Sequence, residues 1–233
     1  MDLHDSRPSV SVVVLAYNES RNLEGVCAEI LDTLQVHAIP SEVIIVNDGS
    51  SDATGTIADA IAARTPVVRV VHHRVNLGLG GGYRTGFAHA RGEFVTFFPA
   101  DGQFPAAIIP QFLRAIDQAD MVLGHVPNRN STVVARSLSF LERTLYRIAF
   151  GRVPTFQGIL MFRRAILEKT PLISSGRGWA VLMELIIRTS RGPYRIRSLP
   201  NDMRARMSGQ SKVNNLRTIV ANVRQVAELY WRL

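Results

Sequence analysis

Asp101 and Gln103 stand two residues apart in Phe94-Val95-Thr96-Phe97-Phe98-Pro99-Ala100-Asp101-Gly102-Gln103, behind a run of strand-forming residues that Pro99 should close. One carboxylate and one amide oxygen at that spacing suit a hard divalent cation whose remaining ligands are water and phosphate oxygens. An Asp-Gly turn with no ligand reads the same way in isolation. Three other stretches repeat the arrangement of an apolar run emptying into polar residues: Tyr17-Asn18-Glu19, Asn47-Asp48-Gly49-Ser50 and Asn76-Leu77-Gly78-Leu79-Gly80. In open α/β sheets, loops at the carboxyl ends of strands are where ligands sit.

The elements behind these loops follow a simple alternation. Val10–Ala16, Glu42–Asn47, Val67–Val71, Phe94–Phe98 and Met121–Gly124 read as strands, the first two as continuous apolar runs suited to burial on both faces. Helical patterns follow at Leu23–Leu34, Ala53–Ala63, from the glycine run to about Ala90, and at Ala107–Gln118, with Ser51 or Asp52 placed to cap the second. Strand–helix alternation predicts a mostly parallel sheet with right-handed crossovers. Past Gly124 the alternation fails: Ser137–Phe150 and Trp179–Arg188 read as helices, Tyr194–Leu199 as a late strand and Asn201–Lys212 as a basic, flexible loop. The glycines do not make a dinucleotide fingerprint. They follow the third strand rather than the first, and no acidic residue closes the next strand. They suit a close approach of backbone to a ligand or to another strand.

Composition narrows the class. The chain has 233 residues, 46% hydrophobic and 20% charged, which predicts one globular domain with a tail. Its single cysteine, Cys27, excludes an intramolecular disulfide and fits a reducing compartment. No stretch approaches the ~18 apolar residues of a membrane span. Asp2, His4 and Asp5 stand where a signal peptide carries basic residues, so a cytoplasmic body is expected. Residues 191–233 hold nine Lys/Arg against Asp202 and Glu228, so most of the net charge of +8 belongs to the tail. Its natural partners are polyanions: phosphates, an anionic membrane face or nucleic acid. A nucleic-acid partner is not expected, because aromatic residues do not interleave the basic ones and no binding motif is present.

Taken in order, the four loops resemble those of the family 2 glycosyltransferases of GT-A fold. The branch they resemble is that of dolichol-phosphate mannose synthases and other polyprenyl-phosphate glycosyltransferases. The resemblance runs from about Ser9 to Lys212 and includes Trp179, Met183-Glu184 and the segment Arg204-Ala-Arg206-Met-Ser-Gly-Gln-Ser-Lys212. It implies an α/β, Rossmann-like catalytic domain over residues 1–212; beyond it, the spacing of apolar residues reads as a C-terminal amphipathic helix over 213–233. It also implies that Tyr17, Glu19 and Asp48 hold the base and ribose of a nucleotide sugar, with Asn76 and Gly78 in the same site. Asp101 and Gln103 would ligate Mg²⁺ or Mn²⁺ on the diphosphate, and Arg129 and Arg136 would face the phosphate of a polyprenyl-phosphate acceptor. Arg206 and Lys212 would clamp the departing diphosphate.

Elementary chemistry agrees with that assignment. Displacing a nucleoside diphosphate needs charge stabilisation on the leaving group. A phosphate acceptor is already anionic and needs no general base, whereas a hydroxyl acceptor requires one. Direct displacement with inversion is the expected course. Two departures stand out: Pro99-Ala-Asp101 replaces the family's Asp-x-Asp, and Asn47-Asp48-Gly49 replaces Asp-Asp-Gly. The first motivates one alternative, a non-catalytic nucleotide-sugar binder; a second, a transferase acting on a soluble or glycan hydroxyl, predicts a carboxylate near the acceptor, and none stands out downstream of Asp101. Single residues also have plainer uses: Tyr17 as a core aromatic, Asp48 as a turn cap before its helix, Glu184 paired with Arg188 on a helix surface, His72 and His73 in packing, Cys27 in the core. In the tail, Val213, Leu216, Val220, Val223, Ala227 and Tyr230 form an apolar stripe. Such a helix either docks on the body or lies on a membrane, with Arg217, Arg224 and Arg232 near lipid phosphates and Trp231 at the interface. A lipid acceptor calls for peripheral placement at the cytoplasmic membrane face, through this tail or a small membrane-anchoring partner subunit.

Overall fold

Every residue of Val10–Ala16 (β1) is buried, as a β-branched run covered on both faces must be. Burial of each such side chain contributes roughly 1.5–3 kcal/mol. The computed structural model describes residues 8–127, 151, 154, 156–205 and 231. After β1 come α1 (Leu23–Val36), β2 (Ser41–Asn47), α2 (Thr54–Arg64), β3 (Val68–His72), α3 (Gly78–His89), β4 (Phe94–Pro99), α4 (Ile108–Ile116) and β5 (Met121–His125). The described residues then give β6 (Leu160–Arg163), α5 (Ala165–Lys169), α6 (Ala180–Arg191) and β7 (Ile196–Pro200). The seven strands form one sheet in the order β3-β2-β1-β4-β6-β5-β7. Only β6 runs antiparallel to its neighbours among them.

This is the α/β, mostly parallel architecture expected from the alternation, with β6 and α5 added where the sequence pattern broke down. Strand order reverses between β1 and β4, so α1 and α2 cover one face and α3 the other, given right-handed crossovers. Helix α1 packs on α2, and α3 packs on β1, β2 and α6. Glycines let α3 lie close: a Cβ at Gly86 would collide with Val13, and one at Gly82 would lie 2.9 Å from Leu15. Pro110 is accommodated in the first turn of α4, where its missing N–H has no helical partner to lose. Cys27 is in the core as expected, and burial pushes its thiol up to about 12.

Candidate active site

Strand order reverses between β1 and β4, and in open α/β sheets such a reversal marks the carboxyl-end crevice in which ligands bind. Pro99 pairs with Leu15 as the last residue of β4, and Ala100 donates its N–H to the Leu15 carbonyl at 2.9 Å. Asp101 follows, 5% exposed, and its Oδ1 accepts the Gln103 N–H at 3.1 Å across Gly102, whose φ is +73°. The turn that closes β4 therefore carries Asp101 and Gln103 together at the carboxyl edge of the sheet. The Gln103 carbonyl accepts the Arg204 N–H at 2.7 Å, and the Arg204 guanidinium reaches Glu29 at 3.0 Å. Asn201 donates its N–H to the His125 carbonyl at 2.8 Å. The opening of the basic segment, expected to be flexible, is pinned beside the Asp101 loop.

On the other side of β1, Asp48 holds a different kind of turn. Its Oδ1 accepts from His73 Nδ1 at 2.7 Å and from the Leu77 N–H at 2.7 Å. Its Oδ2 accepts from Asn76 Nδ2 at 2.9 Å and from the Gly78 N–H at 2.8 Å. Asp48 thus caps the start of α3 rather than the helix that follows it in sequence. Asn47 donates its amide to His72 Nδ1 at 3.0 Å, which places the imidazole proton on Nε2, facing Asp59 at 2.9 Å. An aspartate at 47 has no proton to give there. His72 and His73 are both hydrogen-bonded to carboxylates, and no cluster of metal-ligating side chains forms among the described residues.

The β1 and β2 loops are laced to each other. Asn18, at φ +51°, accepts the Ser51 N–H on its side chain at 2.8 Å and donates its own N–H to Ser50 Oγ at 3.0 Å. Glu19 donates its N–H to Thr54 Oγ1 at 2.9 Å, and its carboxylate accepts from Asn22 at 2.7 Å. Tyr17 is 37% exposed, so it is not the core aromatic its position allowed. Asp52 rather than Ser51 takes the Thr54 N–H at 3.0 Å. Burial pushes its carboxyl up, but hydrogen bonds from Thr54 and Ser20 outweigh that and bring it down to about 2.

The glycines of α3 admit a strand and a loop: Gly82 and Gly86 face β1, as expected, and Gly78 and Gly80 face the 176–177 backbone. Gly80 donates its N–H to the Arg177 carbonyl at 2.9 Å, and a Cβ there would collide with the Gly176 carbonyl oxygen. Arg177 reaches Asn76 Oδ1 at 2.7 Å, and Arg84 holds the Ser174 and Gly176 carbonyls at 3.2 and 3.0 Å. Glu184 does pair with Arg188 at 2.8 Å, yet it is fully buried. Its carboxylate also accepts the Ile173 and Ser174 N–H groups at 2.9 and 2.7 Å. Arg84, Arg177 and Glu184 were not singled out as site residues from sequence. The clue to Arg177 was its place between Gly176 and Gly178, facing a second glycine pair.

The sequence pattern described as Glycosyl transferase family 2 matches residues 11–171. This chain belongs to that family. It is 30% identical over 217 residues to an undecaprenyl-phosphate mannosyltransferase of Micrococcus luteus, covering 88% of this chain and 87% of the relative. It is 27% identical over 231 residues to a dolichol-phosphate mannosyltransferase of Pyrococcus furiosus, covering 94% and 63%. Against its curated relatives the glycosyltransferase spans from 37% to 87% of their length. A solved glucosyl-3-phosphoglycerate synthase from Mycobacterium tuberculosis, in complex with Mn²⁺, UDP and glucosyl-3-phosphoglycerate, shares the GT-A fold. Its TM-score is 0.69 at 20% identity, with 94% of this chain and 80% of that one covered.

For a divalent cation, the donors at the carboxyl end of β4 are of the right type. The buried Asp101 carboxylate and the Gln103 amide are hard oxygen donors, as Mg²⁺ and Mn²⁺ prefer, and a single carboxylate leaves positions for diphosphate oxygens and water. Arg129, Arg136, Arg206 and Lys212 lie outside the described residues, as does the 213–233 helix apart from Trp231, which is helical and 84% exposed. Among the described residues no helix is long and apolar enough to cross a membrane.

Proposed function

We propose that this glycosyltransferase moves a hexose, mannose from GDP-mannose or a sugar from a UDP-sugar, onto a polyprenyl phosphate with inversion at the anomeric carbon. The observation that carries the reading is the 2.7 Å bond from the Arg204 N–H to the Gln103 carbonyl. It draws the start of the basic segment to the Asp101 loop, where a diphosphate leaving group needs cationic support. The names of the Micrococcus and Pyrococcus relatives support the acceptor class.

In this mechanism Asp101 and Gln103 hold Mg²⁺ or Mn²⁺, which when bound neutralises charge on the donor diphosphate. Arg206 and Lys212, two and eight residues beyond Arg204, add positive charge to the same leaving group. Arg129 and Arg136 orient the acceptor phosphate. A phosphate oxygen forms the new bond to the anomeric carbon as the bond to the diphosphate oxygen breaks, and the electron pair leaves with the nucleoside diphosphate. Tyr17, Glu19, Asn76 and Gly78 belong to the donor edge of the crevice. The tail, or a small anchoring subunit, brings the site to the cytoplasmic face of a membrane.

The test is transfer of labelled sugar from a panel of GDP- and UDP-sugars to a short polyprenyl phosphate, with Mg²⁺, Mn²⁺ or chelator. Metal-dependent label in the lipid is the expected result. Transfer to a soluble hydroxyl acceptor such as 3-phosphoglyceric acid, with none to the lipid phosphate, would overturn the acceptor assignment.

A further inference from the structure

Asn201 directly follows β7 and is 3% exposed, yet neither its Oδ1 nor its Nδ2 has a hydrogen-bond partner among the described residues. Two glycines make room for this amide. A Cβ at Gly124 would collide with Asn201 Oδ1, and one at Gly158 would lie 2.9 Å from Nδ2 and 2.6 Å from the Phe104 ring. Backbone bonds fix the frame: the Asn201 N–H donates to the His125 carbonyl at 2.8 Å, and the Gln157 N–H to the Gly124 carbonyl at 2.8 Å. Burying an amide without partners is costly, and leucine has the same branching without that cost. The cost is offset where a ligand or an ordered water meets both atoms.

We infer that the Asn201 amide reads a hydroxyl of the hexose being transferred and so helps to set which sugar is accepted. An amide both donates and accepts, as a hydroxyl does, whereas an ionised phosphate only accepts and would leave Oδ1 unmet. Strand β6 runs antiparallel to β4 and β5, and β5 runs parallel to β7, so the carboxyl ends of β5 and β7 share the edge that bears Asp101. Asn201 lies on the far side of the Asp101 loop from Tyr17, Glu19 and Asp48, which follow β1 and β2. It stands three residues before Arg204, whose N–H holds the Gln103 carbonyl, and Phe104 is the next residue after Gln103. With the nucleoside on the β1–β2 side and the diphosphate at Asp101, the hexose is the part of the donor that reaches this side. The inference rests on the proposed sugar transfer and deepens it by naming a residue that selects the sugar.

The experiment is calorimetric titration of wild type and Asn201→Leu, in Mn²⁺, with GDP, UDP and a panel of GDP- and UDP-hexoses. The 2-, 3-, 4- and 6-deoxyhexose analogues of the donor that wild type binds then follow. Wild type should lose about tenfold in affinity when one particular hydroxyl is removed. Asn201→Leu should lose a similar factor with the intact donor and nothing further with that analogue. Both proteins should bind the bare nucleoside diphosphate equally, and the variant should melt no lower than wild type. Should leucine not fit between the two glycines, Asn201→Ala enters the same comparison. Unchanged affinity of the variant for the intact donor would overturn the inference and leave the transferase reading standing; joined to a lower melting midpoint, it would make the amide the holder of a structural water. A deoxy penalty that survives the substitution, or an equal loss on the bare nucleotide, would overturn it as well. Wild type binding no donor of the panel would overturn the donor reading itself, and the inference with it.

Discussion

Asp48-Gly49 and Asp101-Gly102 are the same dipeptide at the same sheet edge, at the ends of the two strands flanking β1, each with its glycine at positive φ. Their surroundings differ. Donors reach the Asp48 carboxylate from residues 25 to 30 positions downstream, whereas the Asp101 turn is shaped by an N–H two residues away. The chain that crosses the Asp101 loop meets the Gln103 carbonyl. The lesson is that an Asp-Gly at a strand end takes its surroundings from what crosses it: the Asn76–Gly78 turn gathers on the first carboxylate, and the second is the candidate metal ligand.

The sharpest way to break this comparison is Asp101→Asn, which keeps an oxygen for the Gln103 N–H and removes the charge. Transfer should fall roughly a hundredfold or more, with an unchanged melting midpoint. Loss of folding together with activity would give Asp101 a structural role in place of metal binding. Glu184, like Asp48, accepts from backbone N–H groups distant in sequence. Glu184→Ala strands the Ile173 and Ser174 N–H groups and the Arg188 guanidinium, and should cost about 3 kcal/mol in urea unfolding. Gly80→Ala forces a Cβ onto the Gly176 carbonyl and should cost ~1–3 kcal/mol, read in the same assay.

The smallest effect concerns Asp52, whose carboxyl lies at about 2 against an ordinary 3.8. A depressed folded value means its contribution is present above about 4 and fades as pH falls from about 4 toward 2. The stability difference between wild type and Asp52→Asn should therefore be modest near neutrality and vanish across that window in acid titrations followed by circular dichroism. A difference that persists at pH 2 would show that the Thr54 and Ser20 bonds do not depend on the charge.

Much of the first half was legible because its strands are local patterns. Val10–Ala16 has the bounds its apolar run predicted, and Asp101 and Gln103 emerge where Pro99 closes β4. The family and its GT-A fold were legible from four short loops in order. Strand β6 was not: Leu160–Arg163 is four residues long, and its place between β4 and β5 depends on antiparallel partners that no local pattern names. Glu184 looked like a helix-surface pair because the i, i+4 spacing to Arg188 is visible in sequence, while the loop that buries it is not.

The sequence by itself determined the five strands of the first half and the residue types in the loops at their ends, since apolar runs, proline and glycine act over a few residues. Only the tertiary structure decided how each carboxylate is used. The bonds that separate Asp48 from Asp101, and the Arg177–Asn76 contact that spans 101 residues, form only where packed elements bring distant donors and acceptors within reach. Hydrogen bonding is short-ranged and directional, so its partners are set by the fold and not by neighbours in the chain.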